Sequence, residues 1–284
     1  MKSKAKLAKL LRISQIKLKS LTKTEHLYVE RDIFDPKRGK SRRFEKPRQD
    51  LKRVQRQIED LLKRIKVPNY IHAPAKGRSY ISNAKAHVNA IEVCMLDIEK
   101  YFPSTLAKHV YWFFRTEMKC SSDVAGILTK LSTFKDHLPT GSPSSPILSY
   151  FAHIDMWEAI KEIVDLANCT LSVYIDDVTI SGDHIPGELI WQVKKLFHRF
   201  GLRSNKKKEK YYIGKNSYEI TGIVATNEGE LKIPNRQHLK MYRCRQLLKL
   251  GIKDEKGKDI LKRLRGLEAQ KEQIIKANND LIET

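Results

Sequence analysis

Asp97, Asp176 and Asp177 carry the clearest chemistry in this sequence. Asp97 closes the apolar run VCMLD, and the other two sit far downstream inside TLSVYIDDVTISG, residues 170–182. Two strands lying side by side in one sheet would bring the three carboxylates together. Like charges at that range raise one another's pKa and oppose folding unless a cation lies between them. Mg²⁺ suits such a set, because it takes one or two carboxylates together with substrate phosphates. Two such ions about 3.5–4 Å apart activate an attacking hydroxyl and stabilise a leaving phosphate oxygen. The chemistry expected is phosphoryl transfer. Taken alone, an Asp-Asp pair is more often an ordinary surface turn, so its surroundings must carry the argument.

Leu171, Val173, Val178 and Ile180 flank the pair and predict a β-hairpin. Its tip, Ile-Asp-Asp, is poorly suited to a two-residue turn, which needs positive φ where a β-branched side chain is disfavoured. Upstream, residues 1–20 predict one basic amphipathic helix with Leu7, Leu10, Leu11 and Ile16 on one side. LYVERDIFDPKRGKSRRFEKP reads as two strands around a polar turn with Pro36 and Gly39. The stripe Leu51, Val54, Ile58, Leu61, Leu62, Ile65 predicts a helix. HAPAKGRSYISNAKAHV is a loop entering a short helix, and AIEVCMLDIEKYFPS a buried strand ending in acids and aromatics. LAKHVYWFFRTEM and SDVAGILTKL are helical, and the loop LPTGSPSSP opens one longer helix, ILSYFAHIDMWEAIKEIVDL. The hairpin is followed by the helix GELIWQVKKLFHRFG, by strands around KYYI, YEITGIVA and ELKI, and by two basic helices at 235–250 and 258–277. The mixture is α+β or α/β in class.

The 284 residues carry 55 Lys and Arg against 33 Asp and Glu, a net charge of +22. An excess this large repels itself unless a polyanion neutralises it, and nucleic acid is the usual partner. Residues 1–20 hold seven cations and no acid, and residues 235–284 hold thirteen cations against seven acids. Both ends are therefore basic, and the acids of interest lie between them. Four scattered cysteines suggest neither a disulfide framework nor a zinc site. No apolar run of membrane-spanning length and no signal peptide is present, so a cytoplasmic protein with no membrane partner is expected.

YIDDVTISG resembles the YxDD box of reverse transcriptases, LDIEKYFPS their preceding metal-binding motif, and LPTGSPSSP the loop between the two. NKKKEKY resembles the motif after the palm helix, and EITGIVAT the strand that grips the primer. The similarity runs over roughly residues 30 to 235 and is greatest to bacterial retron reverse transcriptases. SNAKAH fits their NAxxH pattern through Asn83, Ala84 and His87, and Ile220 to Gly222 resembles their VTG element.

The resemblance implies a right-hand polymerase of α+β class. Residues 1–90 would form an N-terminal basic helix and fingers, 91–225 the palm with part of the fingers, and 226–284 a small helical thumb that binds RNA. It implies two Mg²⁺ ions on Asp97 and Asp176, with the Ile98 carbonyl contributing and Asp177 nearby. Phe102 would exclude a 2′-OH and select dNTPs, or simply pack in the core. Gly141 would let backbone approach base and sugar, although Thr140 stands before it where the family commonly has Gln. Arg43 (or Arg42), Lys76 and Arg78 would hold the triphosphate, and Lys208 would protonate the leaving pyrophosphate. Asn83 and His87 would orient structured RNA or brace the fingers. Arg236, Lys240, Arg243, Arg245 and Lys249 would face duplex phosphates, and Tyr211 and Tyr212 would stack on a base or pack in a strand.

The activity implied is RNA-directed DNA synthesis on a structured non-coding RNA, primed from a 2′-hydroxyl of that RNA and giving a covalent RNA–DNA product. A role in defence against phage with an effector protein goes with it. No nuclease domain is expected after the thumb. The alternatives are another bacterial defence-type reverse transcriptase, with template-independent or protein-primed synthesis, and a non-catalytic RNA-binding scaffold.

Overall fold

The computed structural model describes residues 1, 3–35, 39–250 and 255–282. In chain order the elements are α1 (Lys4–Leu10), α2 (Gln15–Lys23), β1 (Tyr28–Asp35), β2 (Lys40–Pro47), α3 (Gln49–Leu62), β3 (Ile71–Ala73), α4 (Tyr80–Lys85) and β4 (Glu92–Asp97). Next come α5 (Tyr101–Ser104), α6 (Ala107–Trp112) with a π-helical turn over Phe113–Glu117, α7 (Ser122–Ser132), α8 (Ser145–Phe151) and α9 (Ile154–Leu166). β5 (Thr170–Tyr174), β6 (Asp177–Gly182) and α10 (Gly187–Arg199) follow. The last are β7 (Lys210–Ile213), β8 (Ser217–Ile220), β9 (Ile223–Thr226), β10 (Leu231–Lys232), α11 (Asn235–Lys249) and α12 (Glu255–Ile282). These make two compact units, Met1–Pro68 with Ile98–Glu162 and Trp191–Asn205, and Asn69–Asp97 with Ile163–Ile190 and Lys206–Thr284.

In the first unit β1 and β2 form an antiparallel hairpin with Tyr28 opposite Pro47. Pro36, expected at its turn, lies outside the described residues. The predicted stripe of α3 holds as far as Leu62, with Leu51, Val54, Ile58 and Leu62 buried; the helix ends there, short of the Ile65 expected in it. The core centres on the fully buried Trp157, which meets Tyr101 and Phe197 edge-on; its indole N–H donates to the Tyr101 hydroxyl at 3.3 Å. The single N-terminal helix expected from the sequence is instead two. Arg12 takes a φ of 56° and Ser14 caps α2 by accepting from the Lys17 N–H, so the chain turns between them. Leu7, Leu11, Leu18 and Leu21 are buried, whereas Leu10 and Ile16 are exposed. The long helix expected after the Pro/Gly/Ser loop likewise divides into α8 and α9.

The second unit is built on a five-stranded sheet of order β3-β5-β6-β4-β7 and a three-stranded sheet of order β10-β9-β8. YEITGIVA, read as one strand, is a hairpin, because Thr221 and Gly222 take φ of 45° and 87° and fold β8 back onto β9. Tyr218, Ile220, Ile223 and Ala225 of this hairpin share a core with Val93, with Ile81 and Ala84 of α4, and with Met241, Cys244, Leu264 and Ile274 of the last two helices. α12 is longer than the 258–277 predicted. Among the described residues no helix is long and apolar enough to cross a membrane.

Candidate active site

β4 and β6 are antiparallel neighbours with Asp97 directly opposite Asp177, so the two carboxylates share one face of the sheet. The β5–β6 hairpin pairs Tyr174 with Asp177, leaving Ile175 and Asp176 as a two-residue turn. Ile175 does adopt the positive φ that its side chain disfavours, 61°, which costs on the order of 1–3 kcal/mol. Its N–H donates to the Ala73 carbonyl at 3.0 Å, which fixes the tip against β3.

The electrostatics are those of crowded acids. Asp97 is buried, and Asp177 is pushed up to about 6 by burial first, then by the charges of Asp176 and Asp97. Lys208 and Lys210 pull in the other direction, and the Lys208 ammonium donates to the Asp97 carboxylate. Lys210 lies opposite Met95, two residues before Asp97, and therefore on the same face. Among the described residues no three His, Cys, Asp or Glu side chains converge as a ready-made ion cage. Hard oxygen donors at a centre that already draws one cation nonetheless fit a divalent metal that completes its shell with phosphate oxygens and water.

The other residues singled out in the sequence fall in several places. Lys76 is exposed, while Arg78 donates to the Ile71 carbonyl at 2.7 Å and to Asn69 Oδ1 at 2.9 Å, bracing the start of β3. Arg43 is ion-paired with Glu30, which also binds Lys135 at 2.6 Å; the side chain of Arg42 lies outside the described ones. Ile98 is buried and bridged to Ser204, and Phe102 is half-buried with its ring stacked on Tyr101 at 6.1 Å. Gly141 is approached closely, by backbone of its own unit: its N–H donates to the Glu45 carbonyl at 3.2 Å. Thr140 serves the same junction, accepting from the Glu45 N–H and donating to the Arg43 carbonyl, both at 3.2 Å.

Asn83 and His87 are each 1% exposed. The His87 ring is bonded to Ser181 and Ser172, and burial holds its pKa down to about 3. Side chains this enclosed favour the second of the two roles expected of them, bracing, over contact with RNA. On α11, Arg236 grips Glu219 with both terminal nitrogens, whereas Lys240 and Arg243 are exposed. Tyr211 is exposed, and Tyr212 packs on Tyr218 at 6.2 Å. Reading residues along the chain missed the Lys208–Asp97 bond and the serine partners of His87. The cluster of lysines after Asn205 was the one available signal for the former.

The family described as reverse transcriptase (RNA-dependent DNA polymerase) matches residues 35–225, and the chain belongs to it. The Retron Se72 reverse transcriptase of Salmonella heidelberg is 30% identical over 233 residues, covering 76% of this chain and 58% of that relative. The Retron Ec86 reverse transcriptase of Escherichia coli is 26% identical over 199 residues, covering 68% of this chain and 62% of that relative. The chain thus spans about three fifths of the length of these two curated relatives. In fold it is similar to a solved structure of telomerase from Candida albicans in complex with a fragment of telomeric RNA. That match has a TM-score of 0.53 and 10% identity, and covers 90% of this chain and 58% of the other. The retron resemblance and the α+β polymerase fold expected from the sequence are both borne out.

Proposed function

We propose that this protein is an RNA-directed DNA polymerase of retron type that copies part of a structured non-coding RNA into DNA from dNTPs, in anti-phage defence with an effector protein. The observation that carries the reading is the register placing Asp97 opposite Asp177 beside the Asp176 tip, with Lys208 on Asp97. Two Mg²⁺ ions held by Asp97 and Asp176, with the Ile98 carbonyl and Asp177 in support, would supply charge neutralisation for the attacking hydroxyl and the leaving pyrophosphate. The chain's own groups do the rest. By the family resemblance, Lys208 would pass a proton to the departing oxygen once it leaves Asp97, and Phe102 would limit the space at the sugar 2′ position. Arg43, Lys76 and Arg78 offer cations to the triphosphate, Arg43 after release from Glu30. Lys240 and Arg243 offer exposed charge to duplex phosphates, and Arg236 adds to them when freed from Glu219.

The test is incorporation of dNTPs on co-purified RNA by the wild type and by Asp176→Asn. The substitution is isosteric and removes one negative charge, so the variant is expected to fold normally and lose incorporation by at least a hundredfold. Incorporation at the wild-type rate would contradict the assignment. Sequencing the bound nucleic acid identifies the priming mode: a branched RNA–DNA species supports the retron reading, and homopolymer or protein-linked DNA replaces it with the other defence type.

A further inference from the structure

The NAxxH-like segment has no task in the chemistry above, yet its Asn83, Ala84 and His87 side chains are buried within the second unit. His87 Nδ1 lies 2.6 Å from Ser181 Oγ, and Nε2 lies 2.6 Å from Ser172 Oγ. Both serines are buried, at 2% and 0% exposure. Ser172 is on β5 opposite Thr179, and Ser181 is on β6 opposite Thr170, so the two form a diagonal pair on one face of the hairpin. A neutral imidazole has one N–H and one acceptor nitrogen, and a hydroxyl can take either part. The ring therefore satisfies itself and both serines while spanning two strands.

The segment is anchored on its other side too. The His87 carbonyl accepts from the Tyr218 hydroxyl, which in turn accepts from the Ala90 N–H at 3.2 Å. Asn83 donates to Thr221 Oγ1 at 3.4 Å, and that hydroxyl donates to the Tyr80 carbonyl at 3.0 Å. The two short motifs, 82–87 and 220–222, thus meet inside the protein.

We propose that His87 is a positioning residue that staples β5 to β6 at the base of the acidic tip, and that Asn83 ties this staple to the Thr221–Gly222 turn. The tip needs holding. It carries a β-branched residue at positive φ and two adjacent acids facing a third, and each of these favours relaxation. Restraint at the base keeps the register that sets Asp177 opposite Asp97, and reacting groups displaced by about 1 Å can lose a hundredfold in rate. The inference rests on the reading of the tip as the catalytic site.

The experiment measures kcat and KM for dNTPs, together with the dissociation constant for the co-purified RNA, in His87→Leu, His87→Gln, Ser172→Ala and Ser181→Ala. His87→Leu is expected to lower kcat about tenfold or more with KM and RNA affinity within about twofold, the pattern of lost transition-state positioning. His87→Gln keeps a donor and an acceptor and is expected to recover most of kcat. The serine variants keep the histidine and remove one bond each, so they remain informative where the leucine variant folds poorly. Each should lower kcat, and adding either to His87→Leu should cost nothing further. Unchanged kcat throughout, or RNA affinity falling tenfold with kcat retained, overturns the proposal while leaving the catalytic reading intact. Full incorporation by Asp176→Asn overturns both.

Discussion

Gly141→Ala puts the junction between β2 and the loop before α8 under a defined strain. A Cβ built on Gly141 stands 2.5 Å from the Glu45 carbonyl oxygen, 3.0 Å from Phe44 Cζ and 3.1 Å from the Glu45 carbonyl carbon. Ordinary contact begins at 3.4 Å, so the oxygen must give by 0.9 Å. Two of the three obstacles are backbone, held by the Gly141 N–H bond to Glu45 and by both bonds of Thr140. Overpacking of this kind costs about 1–3 kcal/mol. Moving β2 away would also sacrifice the Gly141 hydrogen bond, about 1 kcal/mol more. The expected loss is therefore about 2–4 kcal/mol. All three tryptophans, Trp112, Trp157 and Trp191, belong to the same unit as Gly141, so urea unfolding followed by tryptophan fluorescence reads that unit directly. A midpoint equal to wild type would show that the junction is not closed as described. Loss of nucleotide binding with stability unchanged would favour the role that the resemblance implies for this glycine, contact with base and sugar.

Asp177→Asn should stabilise the protein in divalent-free buffer at pH 7 by at most about 3 kcal/mol, the equivalent of raising a carboxyl from 3.8 to about 6. Above about pH 6 the wild type bears the full cost of a charged Asp177, and below about 4 the group is protonated folded or unfolded, so the advantage must fade as pH drops through that window. A gain that persists at pH 4 in urea denaturation would refute the assigned cause. Ile175→Asn exchanges left-handed strain of about 1–3 kcal/mol for lost half-buried apolar contact of similar size, so stability should change by less than about 1 kcal/mol. A loss above about 2 kcal/mol, measured the same way, would mean the turn is not strained.

What could be read from the sequence depended on how local its cause was. The alternation around Asp176 and the stripe through Leu51 to Leu62 are periodic, so the hairpin and α3 stand where expected. Arg12 and Thr221 at positive φ interrupt segments whose composition looks continuous, and only neighbouring structure makes a left-handed Arg or Thr tolerable. Thr-Gly at 221–222 was the one cue that YEITGIVA folds back on itself. At the site, the acids were evident because mutual repulsion demands a reason, while the cations were evident only as a type. That Arg43 meets Glu30 across its own hairpin, Arg236 meets Glu219 17 residues back and Lys208 meets Asp97 111 residues back depends on how the strands and helices pair. His87 is the sharpest case. Its partners lie 85 and 94 residues away, and nothing near it in sequence distinguishes a buried brace from an RNA contact.

Anomalous diffraction from crystals grown with Mn²⁺ and a non-hydrolysable dNTP tests the central claim most directly. The account predicts a peak between the carboxylates of Asp97 and Asp176 that is lost in Asp176→Asn. Saturating Mn²⁺ bound only elsewhere, with Asp97 and Asp176 turned apart, would contradict it.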